Sequence, residues 1–424
     1  MVGTTLLIGF GIMVMLIALG APIFPSIGLA TIFIFMNSEL VTMNFYASTL
    51  FNSLNSFVLL AIPFFVLTGD LLSESDLSED LVEFSDTLFG GIQASVGTAT
   101  VFGCGLFASI SGSNASDAAA IGRIMYGDLK NYGYPGDYSS ALIASGASTG
   151  ILIPPSIVYI VAGLVLGISA SKLFLAAFIP GMCILFGVIG INIGMNHAND
   201  YENGTEFAGI RNVLEATWQA KLALFIPFII LGGIYSGIFT PTESAAIAVA
   251  TVILFGIVRG SLSLRSLPDV LERSAIINGM VAPIVATALV LAQIFSLYNI
   301  PTTVVDALLA TVGSKAGIIL IMFLLFIIGG AIMDTGPNIV ILGPLLLPVA
   351  TEIGMSPIHF TVFMVTTLGV GFITPPFGLN LFIMSGVTGE PVDKIARKAV
   401  PFTIGLLLIS LGIAFFPQLF MWMV

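Results

Sequence analysis

The sequence is short of charge. Its 424 residues include 12 Lys or Arg and 23 Asp or Glu, together 8% of the chain, where a soluble domain carries about 25%. That shortage excludes an ordinary water-soluble globule. Histidine and cysteine are scarce, with two of each. Cys104 and Cys183 both lie in apolar stretches without CxxC spacing, so they read as packing residues and not as a disulfide or metal pair. No HExxH sequence occurs, and no Cys/His or Ser/Lys pairing stands out, so an enzyme is not expected. The net charge of −11 argues against a nucleic-acid partner. No basic region precedes the first apolar run, so no cleavable signal peptide is expected.

What the chain does have is long apolar sequence, 57% hydrophobic with a mean hydropathy of +1.10. The runs are helix-length and not strand-length, which predicts an all-α polytopic protein in a lipid bilayer. Residues 6–19, 23–36, 57–72 and 173–195 read as crossings, and 44–55 as an amphipathic interfacial segment. Residues 74–86 hold six carboxylates and no base and read as a solvated loop.

One stretch breaks this pattern. In Ser111-Gly112-Ser113-Asn114-Ala115-Ser116-Asp117, six of seven residues are polar or Gly, between apolar flanks. Backbone leaves a helix at membrane depth only where it lines a cavity or is buried in protein. The prediction is a re-entrant hairpin over 91–126. The pattern returns at Met333-Asp334-Thr335-Gly336-Pro337-Asn338, predicting a second hairpin over 316–351, with Pro337 as the first residue of its returning helix. Helices 138–167 and 359–386 must each break, at Gly150–Pro155 and Gly371–Pro376. Consecutive prolines remove N–H donors and leave carbonyls free. Thr374 is expected to cap the restarted helix.

The breakers are spaced regularly. Gly150, Pro154 and Pro155 precede Gly371, Pro375 and Pro376 by 221 residues, as Pro180 precedes Pro401; Pro63 precedes Pro283 by 220. This predicts two repeats, 1–200 and 221–424, joined by a polar linker at 201–220. Each would hold five crossings plus a hairpin. Five is odd, so the repeats should be inverted, with ten crossings and both termini on one side. Arg123, Lys130, Arg211, Lys221, Arg259, Arg265, Arg273, Lys394, Arg397 and Lys398 then share one side, against Lys172 and Lys315 on the other. The rule that bases face the cytoplasm puts both termini outside.

Two interrupted segments at matching places point to a transporter's ion and solute sites. Carbonyl and hydroxyl oxygens suit Na⁺; helix N-termini suit an anion. One cation site is expected from Ser111, Ser113, Asn114, Gly150, Ile153 and Pro155. The other is expected from Asp334, Thr335, Gly336, Gly371, Thr374 and Pro376. Ser113, Ser116, Asp117, Asn338 and Asn380 are the expected solute contacts. No cofactor beyond Na⁺ as coupling ion is expected, and no transition metal.

At these motifs the chain resembles the DctM family, the large membrane subunit of TRAP transporters (tripartite, ATP-independent, periplasmic). The carriers are Ser111-Gly112-Ser113 with Ala118-Ala119-Ala120-Ile121-Gly122, Ile153-Pro154-Pro155-Ser156, Gly237-Ile238-Phe239-Thr240-Pro241-Thr242-Glu243, Met333-Asp334, and Thr374-Pro375-Pro376-Phe377-Gly378-Leu379-Asn380-Leu381. The resemblance implies an elevator-type ion-transporter-like fold in a bacterial inner membrane. It also implies two partners, a small four-helix membrane subunit and a soluble periplasmic substrate-binding protein. The small subunit is expected as a separate chain, because no four-helix segment is left unassigned. The implied activity is Na⁺-coupled import of an organic acid. The first tip looks most like the sialic-acid members, so sialic acid is the expected solute. A C4-dicarboxylate or another organic acid, and a stand-alone carrier of the same fold, remain the alternatives.

Overall fold

A computed structural model describes residues 2–37, 42–75, 77–202, 209–263 and 265–423. Among these the chain is helical throughout and forms no strand. Among the described residues, six helices are long and apolar enough to cross a membrane alone: Phe57–Glu74, Ala170–Asn199, Pro241–Arg259, Leu267–Leu297, Lys315–Ile332 and Val392–Phe415. A seventh span arises if Ile210–Gln219 and Lys221–Tyr235, bent by 68°, are taken together. The other apolar helices have 10–17 residues, shorter than the ~20 a bilayer requires. Ten crossings are expected from the sequence, against six or seven spans by this count; the broken helices expected at 138–167 and 359–386 are each made of shorter pieces.

The first hairpin enters through Ser95–Ser111 and returns through Asn114–Asn131. The second uses Lys315–Ile332 and Thr335–Glu352. The first break separates Gly136–Ala147, with a 3₁₀ turn at Ser148–Ile151, from Ile157–Leu166. The second separates Pro357–Gly371 from Leu379–Thr388. Both Pro-Pro bonds, Pro154-Pro155 and Pro375-Pro376, are cis.

Residues 74–86 are not a solvated loop. A helix spans Leu77–Phe89 and buries Leu77, Leu81, Val82 and Ser85 against the first hairpin. Those positions share one helical face, which the count of carboxylates conceals. One acid on another face, Asp80, pairs with Arg259, and Glu74, which ends the preceding helix, pairs with Arg273 at 2.6 Å. The acidic segment and these two arginines therefore sit at one end of the bundle.

The span read as a polar linker, 201–220, carries some helix. The preceding helix runs on to Asn199, and a further helix occupies Ile210–Gln219. Residues 203–208 lie outside the described set. Glu202 is buried at 3% exposure. Its carboxylate accepts from Ser95 Oγ at 2.5 Å, Tyr134 Oη at 2.8 Å and the Val96 N–H at 3.3 Å. This carboxylate supplies an acceptor to the Val96 N–H in the first turn of the entering limb, where helix N–H groups lack intrahelical partners. It ties the far end of the first hairpin to the rest of the bundle.

Candidate functional site

The first tip turns at Gly112, whose φ of +62° is left-handed. The turn is pressed against the first break: a Cβ at Gly112 would lie 2.8 Å from the Pro155 carbonyl oxygen. Ser113 caps the returning limb, its Oγ accepting from the Ser116 N–H at 3.5 Å. Ser111 Oγ donates to Asp117 Oδ1 and accepts from the Ser113 N–H at 3.2 Å. Gly150, on the break, faces the same cluster. A Cβ there would meet Asp117 Oδ2 at 2.3 Å and the Asn114 backbone at 2.8 Å. Tip and break are thus in van der Waals contact, and only a residue without a side chain fits between them.

The second tip packs on its break in a related way. A Cβ at Gly371 would strike the Gly330 backbone, and the Phe377 N–H donates to the Ala331 carbonyl at 3.3 Å. Asp334 is the N-cap here, its Oδ1 accepting from the Thr335 N–H at 2.6 Å. The returning helix begins at Thr335, so Pro337 stands third and not first. Its missing N–H is still unneeded in the first turn.

The breaks themselves differ. In the first, Pro154 has no N–H to offer the carbonyl of Gly150, four residues back. Ser156 Oγ fills in for Pro155 by donating to Ile151 O at 2.8 Å. In the second, every carbonyl from Gly371 to Ile373 has a donor: the Thr374 N–H at 3.0 Å, the Asn380 N–H at 3.1 Å and Thr403 Oγ1 at 3.2 Å. Each retains one lone pair, where wholly free carbonyls were expected. Thr374 does not cap the restarted helix. Its Oγ1 returns to Val370 O at 2.8 Å, and Gly378 holds the N-cap position. The first break is buried, whereas Pro375, Pro376 and Phe377 are exposed. The two tip-and-break arrangements are related but not equivalent.

A cavity of about 160 Å³ opens between the tips. Its polar lining is Ser111, Ser113, Asn114, Ser116, Asp334 and Gly336. The apolar wall comes from Val66, Ile151, Ile157, Val158, Val161, Ile277 and Val281. Sequence reading missed that wall, because nothing distinguishes those residues from ordinary membrane-helix side chains. Three of the expected solute contacts lie behind the lining. Asp117 is fully buried on Ser111. Asn338 spends its amide on the carbonyls of Gly329, Met333 and Asp334, at 2.9, 3.1 and 2.9 Å. Asn380 accepts from Asn114 Nδ2 at 2.8 Å and donates to Ala144 O at 3.0 Å. It therefore joins the second break to the first tip. Among the buried polar atoms without a protein partner are Asp117 Oδ2, Thr335 Oγ1 and Asn338 Oδ1, all at the two tips.

The family description "Tripartite ATP-independent periplasmic transporter, DctM component" matches residues 10–419. The isethionate TRAP transporter permease protein DctMQ of Oleidesulfovibrio alaskensis is 32% identical over 97% of this chain; the chain spans 65% of that protein's length. The C4-dicarboxylate TRAP transporter large permease protein DctM of Pseudomonas aeruginosa is 35% identical, over 88% of this chain and 87% of its own. The sialic acid TRAP transporter large permease protein SiaM of Vibrio cholerae is 30% identical, over 92% of this chain and 93% of its own. Among solved structures, the YdaH transporter of Alcanivorax borkumensis shares the fold, with a TM-score of 0.61, 14% identity and 89% of each chain covered. This multi-pass, all-helical membrane chain therefore belongs to the DctM family, the DctM component of tripartite ATP-independent periplasmic transporters.

Proposed function

We propose that this chain carries a small organic anion into the cell against its gradient, coupled to inward movement of Na⁺. The observation that supports this best is the cavity between the tips, with Ser111, Ser113, Asn114, Ser116, Asp334 and Gly336 converging on it. Both returning limbs begin there, so their free N–H groups favour negative charge. Cation sites belong beside the cavity, at Ser111, Ser113, Asn114, Gly150, Ile153 and Pro155 and at Asp334, Thr335, Gly336, Gly371, Thr374 and Pro376. Unpartnered oxygens at both tips suit a hard cation.

The relatives' solutes, C4-dicarboxylates, sialic acid and isethionate, are all organic anions. Sialic acid remains our first candidate on the Asn114–Asp117 tip. The cavity's 160 Å³ is below the roughly 300 Å³ from which ligand pockets usually start. A sugar acid therefore needs the tips to part, while a smaller acid fits the present shape. The working unit is the large membrane subunit with a small membrane subunit and a periplasmic binding protein, in a bacterial inner membrane with both termini periplasmic. The hairpins and broken helices would move as one body against the remaining helices.

The test is uptake of labelled sialic acid, a C4-dicarboxylate and isethionate into proteoliposomes under an inward Na⁺ gradient. The chain is assayed alone, with its small subunit, and with the binding protein added. Uptake only in the complete mixture, abolished when choline replaces Na⁺, is expected. Uptake by the chain alone would favour a stand-alone carrier, and Na⁺-independent uptake would remove the coupling ion.

A further inference from the structure

Asp117 is the one carboxylate fully buried beside the first tip, at 0% exposure. Ser111 Oγ serves Oδ1. Oδ2 has no hydrogen-bond partner in the protein and is aimed at Gly150. Among the described residues, the ion pairs are Arg211–Glu215, Arg259–Asp80 and Arg273–Glu74, and none reaches Asp117. Arg123, on the same limb, is exposed, and its Nε donates to Ala119 O. A buried carboxylate without counter-charge is costly, more so at membrane depth. Two oxygens on neighbouring residues have spare acceptor capacity. Ser111 Oγ keeps one lone pair, and the Gly150 carbonyl, facing Pro154, receives no helical N–H.

We infer that the Asp117 carboxylate is itself a ligand of a monovalent cation, the anionic member of the site at the first break. The inference rests on the Na⁺-coupled reading above and changes it. Asp117 becomes an ion ligand instead of a solute contact, and the first site is neutral when loaded. Closing the sealed first break over a cation then buries no net charge there. The second tip differs, because Asp334 faces the cavity and stays exposed.

Asp117→Asn tests this, because Asn has the shape of the protonated acid but cannot supply the negative charge. The full-length chain in detergent is titrated with NaCl against choline chloride at constant ionic strength, and its thermal midpoint is followed. The Na⁺ concentration giving the half-maximal shift is expected to rise at least ~10-fold in the variant, equivalent to about 1.4 kcal/mol of binding. An unchanged titration would show that Oδ2 holds a proton or nothing, and would overturn the inference. A wild-type chain that ignores Na⁺ would instead overturn the coupling reading itself. If Asp117→Asn does not fold, density maps of the wild type in NaCl and in choline chloride decide. A Na⁺-dependent feature bonded to Oδ2 upholds the assignment, and its absence there refutes it.

Discussion

Gly112→Ala separates a tip built for one geometry from a tip that merely happens to contain glycine. Gly112 sits at φ +62°, and an L-residue held there costs about 1–2 kcal/mol. The new Cβ would also lie 2.8 Å from the Pro155 carbonyl oxygen and 3.3 Å from both the Ile157 nitrogen and Ser156 Cα. These are backbone atoms, so the contact is relieved only by moving the break or withdrawing the tip. Overpacking of this kind costs about 1–3 kcal/mol. Together the terms reach about 2–5 kcal/mol, against which 1.4 kcal/mol is tenfold in an equilibrium. The tip should therefore leave its packed position in most molecules while the long helices keep the chain in the membrane. Gly127, on the same returning limb, is the control, because a Cβ there meets nothing within 4 Å and its backbone is helical. Gly127→Ala should hold uptake within about twofold, as a surface change does. Uptake in proteoliposomes and the thermal midpoint of the purified chain are the two measurements. Wild-type uptake by Gly112→Ala, or equal damage from Gly127→Ala, would refute the packing argument.

Further outcomes follow from the same geometry. Ser113→Ala and Asp334→Ala should each cut uptake at least ~10-fold with unchanged yield of inserted protein; wild-type uptake and Na⁺ dependence in both would remove these residues from the site. Asn380→Ala leaves the buried Asn114 amide without its acceptor and should lower stability by about 1–3 kcal/mol, read as a fall in thermal midpoint. Arg273→Ala breaks an exposed pair with Glu74 and should change stability by less than about 1 kcal/mol, with uptake retained.

Much of the architecture is legible in the sequence because helix breakers act locally. A proline pair removes two donors wherever it stands, so Pro154-Pro155 and Pro375-Pro376 announce breaks without any knowledge of their neighbours. Polar residues within apolar runs locate both tips for a similar reason. Periodic burial was harder to see. The helix Leu77–Phe89 hides behind its acids, although Leu77 and Leu81 repeat at helical spacing. Local substitution of hydrogen bonds was also hidden. Ser156 takes over for Pro155, and Thr374 turns back to Val370. Which donor replaces a missing one depends on the bent path of the backbone, and that path is set by packing.

The contacts that matter most are the ones no local rule supplies. Repeat logic pairs the first tip with the first break and the second with the second, and Gly112 on Pro155 and Gly371 on Gly330 follow that logic. Asn380 crosses it. It belongs to the second broken helix, yet it holds Asn114 of the first tip and Ala144 of the first broken helix. The cavity crosses it too, taking Ser113 from one half and Asp334 from the other. A disturbance at the first tip can reach the second broken helix through the buried Asn114–Asn380 amide pair. In a coupled carrier that connection would have a use, because the tip proposed to bind the ion is bonded to the second broken helix. If the proposed first site loads an ion, its occupancy should bear on the second half, and cooperativity between the two halves should depend on Asn380 even though it does not line the cavity.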